Sequence, residues 1–123
     1  MNTVGWFEIY VADMERAKNF YENVLQKKTE PIPAGKPGLE MHAWTGDMTA
    51  YGAAGALAKM DGVKPGQNSV MVYFSCEDCA QEESRVEKFG GTVAQSKFSI
   101  GEHGFISIII DTEGNTIGLH SVK

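Results

Sequence analysis

A carboxylate stands between two aromatic residues near the start of the chain, in the alternating positions of Trp6, Glu8 and Tyr10. Because Phe7 and Ile9 fall between them, the pattern is typical of a strand on which these three side chains share one face. Burial of Glu8 in an apolar pocket would favour its neutral form and make it a candidate general base for removing a proton beside a carbonyl. Alternatively, Glu8 only pairs with a nearby lysine or hydroxyl.

Cys76 and Cys79 form a C-x-x-C pair at a predicted strand-to-helix junction, a setting in which redox cysteines occur. Glu77 and Asp78 between them oppose thiolate formation, whereas reactive pairs need an electropositive environment. With no second pair in the sequence, a zinc ribbon is not expected either. We therefore interpret both residues as reduced thiols of a structural kind.

The turn-forming stretch 111–115 places Asp111, Glu113 and Asn115 at alternate positions, like the start of a calcium loop. Val122 stands where such a loop requires a bidentate glutamate, so a calcium site is not expected. Since Gly114 can adopt a positive φ, the stretch predicts a hairpin turn instead.

Two longer loops carry candidate ligand contacts. Residues 99–105 hold Glu102 and His103 between glycines, and residues 46–55 of the first half hold Tyr51. Glycine-flanked loops often contact ligands or act as lids. They also simply turn the chain, and the sequence does not choose between these roles.

Composition limits the classes of partner. The chain has 123 residues, of which 42% are hydrophobic and 22% charged, as in one soluble globular domain. A net charge of −5 without a run of Lys or Arg provides no footprint for nucleic acid or an anionic membrane. The apolar stretch 105–110 is far shorter than the roughly 20 residues of a membrane span. With no secretion signal expected, and two thiols in a chain able to build its own core, we expect a cytoplasmic protein.

The elements that position these residues occur twice. Residues 5–25 and 70–91 share the order strand, Asp, helix at an offset of 65 residues. Asp13 and Asp78 stand where helix N-caps belong, and Gly90 with Gly91 supplies a stop for the second helix. Shorter strands are predicted at 27–32, 39–44 and 53–60, then at 92–97, 105–111 and 116–121. Each half therefore predicts β-α-β-β-β, with module 1 at about 1–60, a linker at about 61–68 and module 2 at about 69–123.

This duplicated α+β unit resembles the vicinal oxygen chelate superfamily, which includes glyoxalase I, extradiol dioxygenases and bleomycin-resistance proteins. The resemblance rests on the stretch D-M-E-R-A-K-N-F-Y-E-N-V-L that opens the first helix and on D-T-E-G-N-T-I-G-L-H near the end of the chain. Within that superfamily, the chain looks most like small bacterial proteins related to lactoylglutathione lyase. The resemblance implies an open, cup-shaped eight-stranded sheet with helices outside and a ligand inside.

Strand parity then assigns the faces. Phe7, Ile9, Val11, Val72, Phe74 and Cys76 should pack under the helices. The other face should line the cup with these residues: Trp6, Glu8, Tyr10, Met71, Tyr73, Ser75 and His120. Aromatic residues on strands fill cores as often as they bind ligands, so each aromatic assignment has a structural alternative.

The resemblance also implies a metal site, and here the sequence departs from the family. The positions where the family holds its ligands fall on Trp6 and Met71, with Gly118 and the neighbourhood of Gly55 in place of carboxylates. An indole, a thioether and glycines offer no hard donor. We therefore expect no catalytic metal and no cofactor. A displaced site using Glu8 and His120 would have only two ligands, so His120 is more simply interpreted as a terminal-strand histidine in contact with water.

Two functions remain. The first is a metal-independent lyase or isomerase acting on a small carbonyl compound, with Glu8 as acid or base and Tyr73 or His120 polarising the oxygen. The second is a binding protein without chemistry, like the bleomycin-resistance members, that holds a cationic ligand. Ligand contacts are expected from Trp6, Tyr10, Met71, Ser75, Tyr51, Glu102 and His103. A homodimer is expected in both cases, as in much of the superfamily.

Overall fold

Two β-α-β-β-β modules follow one another in the computed structural model, which describes residues 2–35, 37–47, 49–66 and 68–123. Module 1 consists of β1 (Trp6–Tyr10), α1 (Met14–Leu25), β2 (Glu30–Ile32), β3 (Leu39–Trp44) and β4 (Ala54–Met60). Module 2 consists of β5 (Tyr73–Ser75), α2 (Cys79–Val86), β6 (Thr92–Ser99), β7 (Phe105–Ile110) and β8 (Thr116–Ser121), with a 3-10 turn at Gly101–His103. The predicted α+β class and tandem modules are confirmed.

Each module forms its own four-stranded sheet with the same connectivity. The strand orders are β1-β4-β3-β2 and β5-β8-β7-β6. In each sheet the first strand pairs in parallel with the last, and the remaining pairs are antiparallel. None of the described helices is long and apolar enough to cross a bilayer.

Both helices begin at the predicted aspartates. The Asp13 carboxylate accepts a hydrogen bond from the amide of Arg16, and that of Asp78 from the amide of Ala80. The buried stripe of α1 is the predicted one, namely Met14, Ala17, Phe20, Tyr21, Val24 and Leu25. The second helix ends earlier than the predicted stop at Gly90 and Gly91, since its last residue is Val86. A turn follows, in which the Gly91 amide donates to the Val86 carbonyl.

Two predicted strands are shorter in the structure because side chains take over backbone partners. The stretch 27–29 does not join β2, since the amide and hydroxyl of Thr29 both donate to Glu22 on α1. The strand expected at 70–76 is reduced to Tyr73–Ser75. There the Asn68 side chain bonds both the N–H and the carbonyl of Thr116, which a longer β5 would have used.

The two modules share one hydrophobic core. Its buried members come from both helices and both sheets, and include Ile9 and Val11 from the predicted inner face of β1. Phe7, Tyr21, Trp44 and Phe74 pack across the boundary with ring centroids 5.6 to 6.1 Å apart. Such aromatic contacts add to the free energy gained from apolar burial. The helices therefore pack on the sheet faces that parity placed under them. The opposite faces, which were expected to line the cup, are uncovered in the single chain and are called outward here.

The hairpin turn 111–115 fastens module 2 to the start of α1. Glu113 accepts hydrogen bonds from the amides of Ala12 and Asp13 at 2.9 and 3.0 Å and from the Arg16 guanidinium at 2.7 and 2.9 Å. Burial by itself would raise the pKa of Glu113. The hydrogen bonds from Arg16, Thr112 and the two amides outweigh that effect and lower its pKa to about 2.

The same turn makes two more contacts with module 1. Asp111 accepts a hydrogen bond of 2.6 Å from the Tyr21 hydroxyl, and the Asn115 amide donates to the Tyr10 carbonyl at 2.9 Å. At the far end of α1, the Arg85 guanidinium donates twice to the Val24 carbonyl. Module 2 thus provides hydrogen-bond partners for both ends of the first helix.

We predict that Glu113→Gln lowers the free energy of unfolding at neutral pH by about 3 kcal/mol, the equivalent of moving this carboxyl pKa from 4.5 to about 2. The folded-state pKa lies below the unfolded one, so this stabilisation is complete above roughly pH 5 and is lost as the pH falls toward 2. Urea unfolding followed by tryptophan fluorescence at several pH values measures it.

The matched control is Glu15→Gln, because the Glu15 side chain is exposed on α1, the helix whose start Glu113 contacts. This variant should change stability by less than about 0.5 kcal/mol. Equal acid sensitivity of the wild type and Glu113→Gln would contradict the assignment.

Candidate functional site

The outward face of β1 carries a hydrogen-bonded ladder of three side chains. The Trp6 indole donates to Glu8 Oε2 at 3.2 Å, and the Tyr10 hydroxyl donates to Glu8 Oε1 at 3.1 Å. Glu8 is exposed in the single chain, so the condition of burial in an apolar pocket is not met there. Both carboxylate oxygens are occupied by neighbouring donors, which agrees with the alternative that Glu8 pairs with a hydroxyl. Partial burial, together with the hydrogen bond to Glu8 and its charge, raises the pKa of Tyr10.

A groove of about 560 Å³, here called the aromatic groove, lies between the edges of the two sheets. Six aromatic residues line it: Trp6, Phe7, Trp44, Tyr51, Tyr73 and Phe74. The groove also contains Met71 and Ser75, so five of the predicted ligand-contact and catalytic residues meet here. Lys27 is the only charged residue among its described lining residues.

Sequence reasoning missed Phe7 and Phe74 as lining residues because strand parity places them under the helices, and it assigned no face to Trp44. The placement of Phe7 and Phe74 is correct, and all three residues pack against the core. They reach the groove because it opens at the edge where the two sheets meet, and no local pattern in the sequence reveals that junction.

A second groove of about 300 Å³, here called the linker groove, lies at the end of β1. Its polar lining residues are Glu8, Tyr10, Lys64, Asn68, Asn115 and Thr116. The two grooves share Val70 and Val72, so Val72 does not lie under a helix as predicted for its parity but at the module boundary. The linker residues were not predicted for a site because 61–68 has the composition of an ordinary turn.

The outward face of module 2 carries Tyr73, Ser75 and His120. Tyr73 pairs with Gly118, and Ser75 pairs with His120 in the β5–β8 register. The Tyr73 ring covers Gly118 so closely that a Cβ there would overlap the ring. His120 Nε2 lies 2.7 Å from the carbonyl oxygen of His103.

Three predicted site residues lie outside both grooves: Glu102, His103 and His120. The side chains of Glu102 and His103 are exposed and approach each other to 3.9 Å. The single cup expected from parity is thus divided within one chain. Trp6, Met71, Tyr73 and Ser75 lie in one groove, Glu8 and Tyr10 in the other, and His120 lies beside Ser75 on the open sheet.

The positions at which the family holds a divalent ion contain side chains that do not fit one. Trp6 and Met71 supply an indole and a thioether, and the Gly118 position is filled by the Tyr73 ring. Gly55 lies on the inner face beneath Phe7, while Ala56 is the residue opposite Glu8. Among the described residues, no group of three His, Cys, Asp or Glu side chains could hold a metal ion. This donor set gives a hard divalent cation no first coordination shell.

The two cysteines are free thiols. Cys79 is fully buried. Burial, assisted by the negative charge of Glu82, raises the pKa of Cys76 to about 12. A thiol with so high a pKa is a weak nucleophile at neutral pH, which supports the structural interpretation of this pair.

Two curated proteins of similar sequence are longer than this chain, and the match covers only part of each. A Mycobacterium tuberculosis protein named "Putative glyoxylase CFP32" is 28% identical over 119 residues, which is 95% of this chain and 44% of that protein. The Mycobacterium bovis protein of the same name matches equally. The chain therefore spans less than half the length of these curated relatives.

Solved structures share the fold at low sequence identity. Glyoxalase I from Zea mays superposes with a TM-score of 0.75 at 18% identity, covering 95% of this chain and 45% of that one. TnmS3, an antibiotic binding protein from Streptomyces sp. CB03234, superposes with a TM-score of 0.66 at 21% identity, covering 98% and 96% of the two chains. The family model described as Glyoxalase/Bleomycin resistance protein/Dioxygenase superfamily matches residues 3–119, and the chain belongs to that superfamily.

Proposed function

We propose that this protein binds a small, flat, largely apolar organic molecule in the aromatic groove without the help of a metal ion. The observation that carries the proposal is the groove itself, with six aromatic residues around about 560 Å³. A volume of this size is typical of small-molecule sites. Trp6 and Tyr73 remain 42% and 47% exposed, so their ring surfaces are available for stacking.

The groove favours a neutral ligand over a cationic one. Lys27 is the only charged residue among the described lining residues of this groove and repels cations, whereas Glu8 lies in the linker groove. The net charge of −5 therefore acts through the general surface and not through this groove. The antibiotic binding protein among the structural neighbours supports the binding function at the level of a shared fold.

We propose a homodimer in which the second copy covers the outward sheet faces and completes the cup. Tyr51 and Val70 at the groove are 89% and 71% exposed, and apolar patches of this kind commonly mark an interface. The negative charge supports the absence of a nucleic-acid partner. Two free thiols support a reducing compartment, and we propose the cytoplasm.

Light scattering during size-exclusion chromatography should give about twice the chain mass of 13.4 kDa. Val70→Asp, which places a charge on the groove rim, should shift the population to monomer. Ala80→Asp is the matched control, because Ala80 is exposed on α2, on the opposite side of module 2 from the outward sheet face. A monomeric wild type, or equal dissociation by both variants, would contradict the dimer.

Titration of the protein with a panel of neutral aromatic compounds should change tryptophan emission, since Trp6 lines the groove. Trp6→Phe should weaken binding about tenfold, because the larger ring provides roughly 1 kcal/mol or more of stacking and burial. EDTA should leave the affinity unchanged. Ile100→Ala, outside both grooves, serves as the control. Loss of binding in EDTA would refute the metal-free proposal, and an unresponsive panel would refute the groove.

A second candidate is a metal-independent lyase or isomerase acting on a carbonyl compound. It is favoured by the Glu8 carboxylate lying 3.1 Å from the Tyr10 hydroxyl, which gives a proton acceptor beside a phenol at the module boundary. Glu8 would remove a proton next to the carbonyl of a substrate held in the linker groove. The name of the mycobacterial relatives supports this class of reaction.

Deuterium exchange at the carbon beside the carbonyl, followed by NMR over a panel of small aldehydes and ketones, tests this candidate. Glu8→Gln should reduce exchange at least about 100-fold while changing affinity less than threefold. Tyr10→Phe keeps the carboxylate and removes its phenol partner, so it should retain exchange. If Glu8→Gln exchanges as fast as the wild type, or the wild type does not exchange at all, the catalytic candidate is wrong.

A further inference from the structure

His120 is held by a backbone carbonyl in a way that determines which of its nitrogens carries the proton. Its Nε2 lies 2.7 Å from the carbonyl oxygen of His103. A carbonyl oxygen only accepts hydrogen bonds, so Nε2 must be the protonated nitrogen. In the neutral imidazole, Nδ1 then carries a lone pair and can accept a hydrogen bond. It forms no hydrogen bond with any described residue.

The carbonyl that sets this tautomer is itself positioned by the backbone. The loop closes through hydrogen bonds from the Ile100 amide to the Gly104 carbonyl and from the Gly104 amide to the Gly101 carbonyl. Gly104 has φ +105° and packs directly against the Ser121 carbonyl, where a Cβ would not fit. The position of the His103 carbonyl therefore follows from backbone geometry and from the end of β8, while the His103 side chain stays exposed.

The free nitrogen belongs to a residue beside the aromatic groove. His120 pairs with Ser75 across β5 and β8, and Ser75 lines the groove. Neighbouring strands lie about 4.8 Å apart, so the imidazole is one strand away from the groove lining. Gly118, two residues earlier on the same face, contributes no side chain. Glu8, the other candidate acceptor, lines the linker groove and not the aromatic groove.

We propose that His120 Nδ1 accepts a hydrogen bond from the ligand of the aromatic groove, and that this ligand is an aromatic molecule bearing a hydroxyl or N–H donor. The inference rests on the proposed binding function and deepens it by naming the ligand class. It also changes the role expected for His120. In its neutral form, His120 does not donate to the carbonyl oxygen of a substrate, because its one N–H already donates to the backbone carbonyl of His103.

The test compares 2-naphthol with 2-methoxynaphthalene, which have the same aromatic body but differ in the donor, in NMR titrations at about pH 8, where ordinary imidazoles are neutral. The wild type should bind 2-naphthol about fivefold more tightly than the ether, as one net hydrogen bond provides. His120→Lys retains an N–H donor for the His103 carbonyl and has no acceptor atom to replace Nδ1. It should bind both probes with the affinity of the ether.

His103→Lys is the matched control, because it makes the same chemical change in a residue that contributes only its backbone carbonyl to the arrangement. It should preserve the fivefold preference. Nitrogen-15 NMR provides a second readout that needs no ligand, and it should show the Nε2–H tautomer for His120.

The outcomes separate the two proposals. If both probes bind the wild type equally, or if His120 carries its proton on Nδ1, the His120 inference is overturned while the groove stands. If neither probe binds, the proposed function is overturned, and the ligand class inferred here falls with it.

Discussion

The buried carboxylate of Glu113 is the interaction on which the arrangement of the two modules depends. It accepts hydrogen bonds from the amides of Ala12 and Asp13, which lie about a hundred residues earlier in the sequence, and from the Arg16 guanidinium. A carboxylate without these donors would be costly at such a site, because desolvation opposes its charge. The start of α1, with its unpaired amides and positive dipole end, supplies the compensation. The turn of one module is therefore stable only when the helix of the other is in place.

The position of the grooves follows from this docking. Asn115, from the same turn, donates to the Tyr10 carbonyl and lines the linker groove, so a contact that joins the modules also builds a wall of that groove. Because both helices pack against the shared core, they do not cover the outward sheet faces. Trp6 and Tyr73 consequently stay partly exposed on either side of the module boundary. The proposed binding surface and the contact that joins the modules therefore lie at the same boundary.

Periodicity predicted the elements well, because helices and strands are local. The stripe of α1 and the alternation of Phe7 and Ile9 against Trp6 and Glu8 reflect spacings of 3.6 and 2 residues that need no tertiary information.

The errors arise where a distant side chain competes for backbone groups. Glu22 binds Thr29 and delays β2, and Asn68 occupies Thr116 and shortens β5. The sequence left the burial of Glu8 open for a related reason. Burial depends on what covers a strand, whereas the sequence of a strand indicates only which residues share a face.

Part of the candidate site was predictable from the sequence, but its division between two grooves was not. The pairing of Tyr73 with Gly118 shows why the absence of a metal-type donor and the presence of an aromatic surface belong together. Only a residue without a Cβ lets the tyrosine ring lie against the neighbouring strand, since any side chain at this position would overlap it. A carboxylate placed at 118 would therefore have to displace the ring before it could reach a cation. In this chain, the Tyr73 ring, which we propose stacks on a flat ligand, occupies the space that a metal ligand at position 118 would need. The glycine on β8 therefore supplies no donor for a cation and at the same time makes room for the ring.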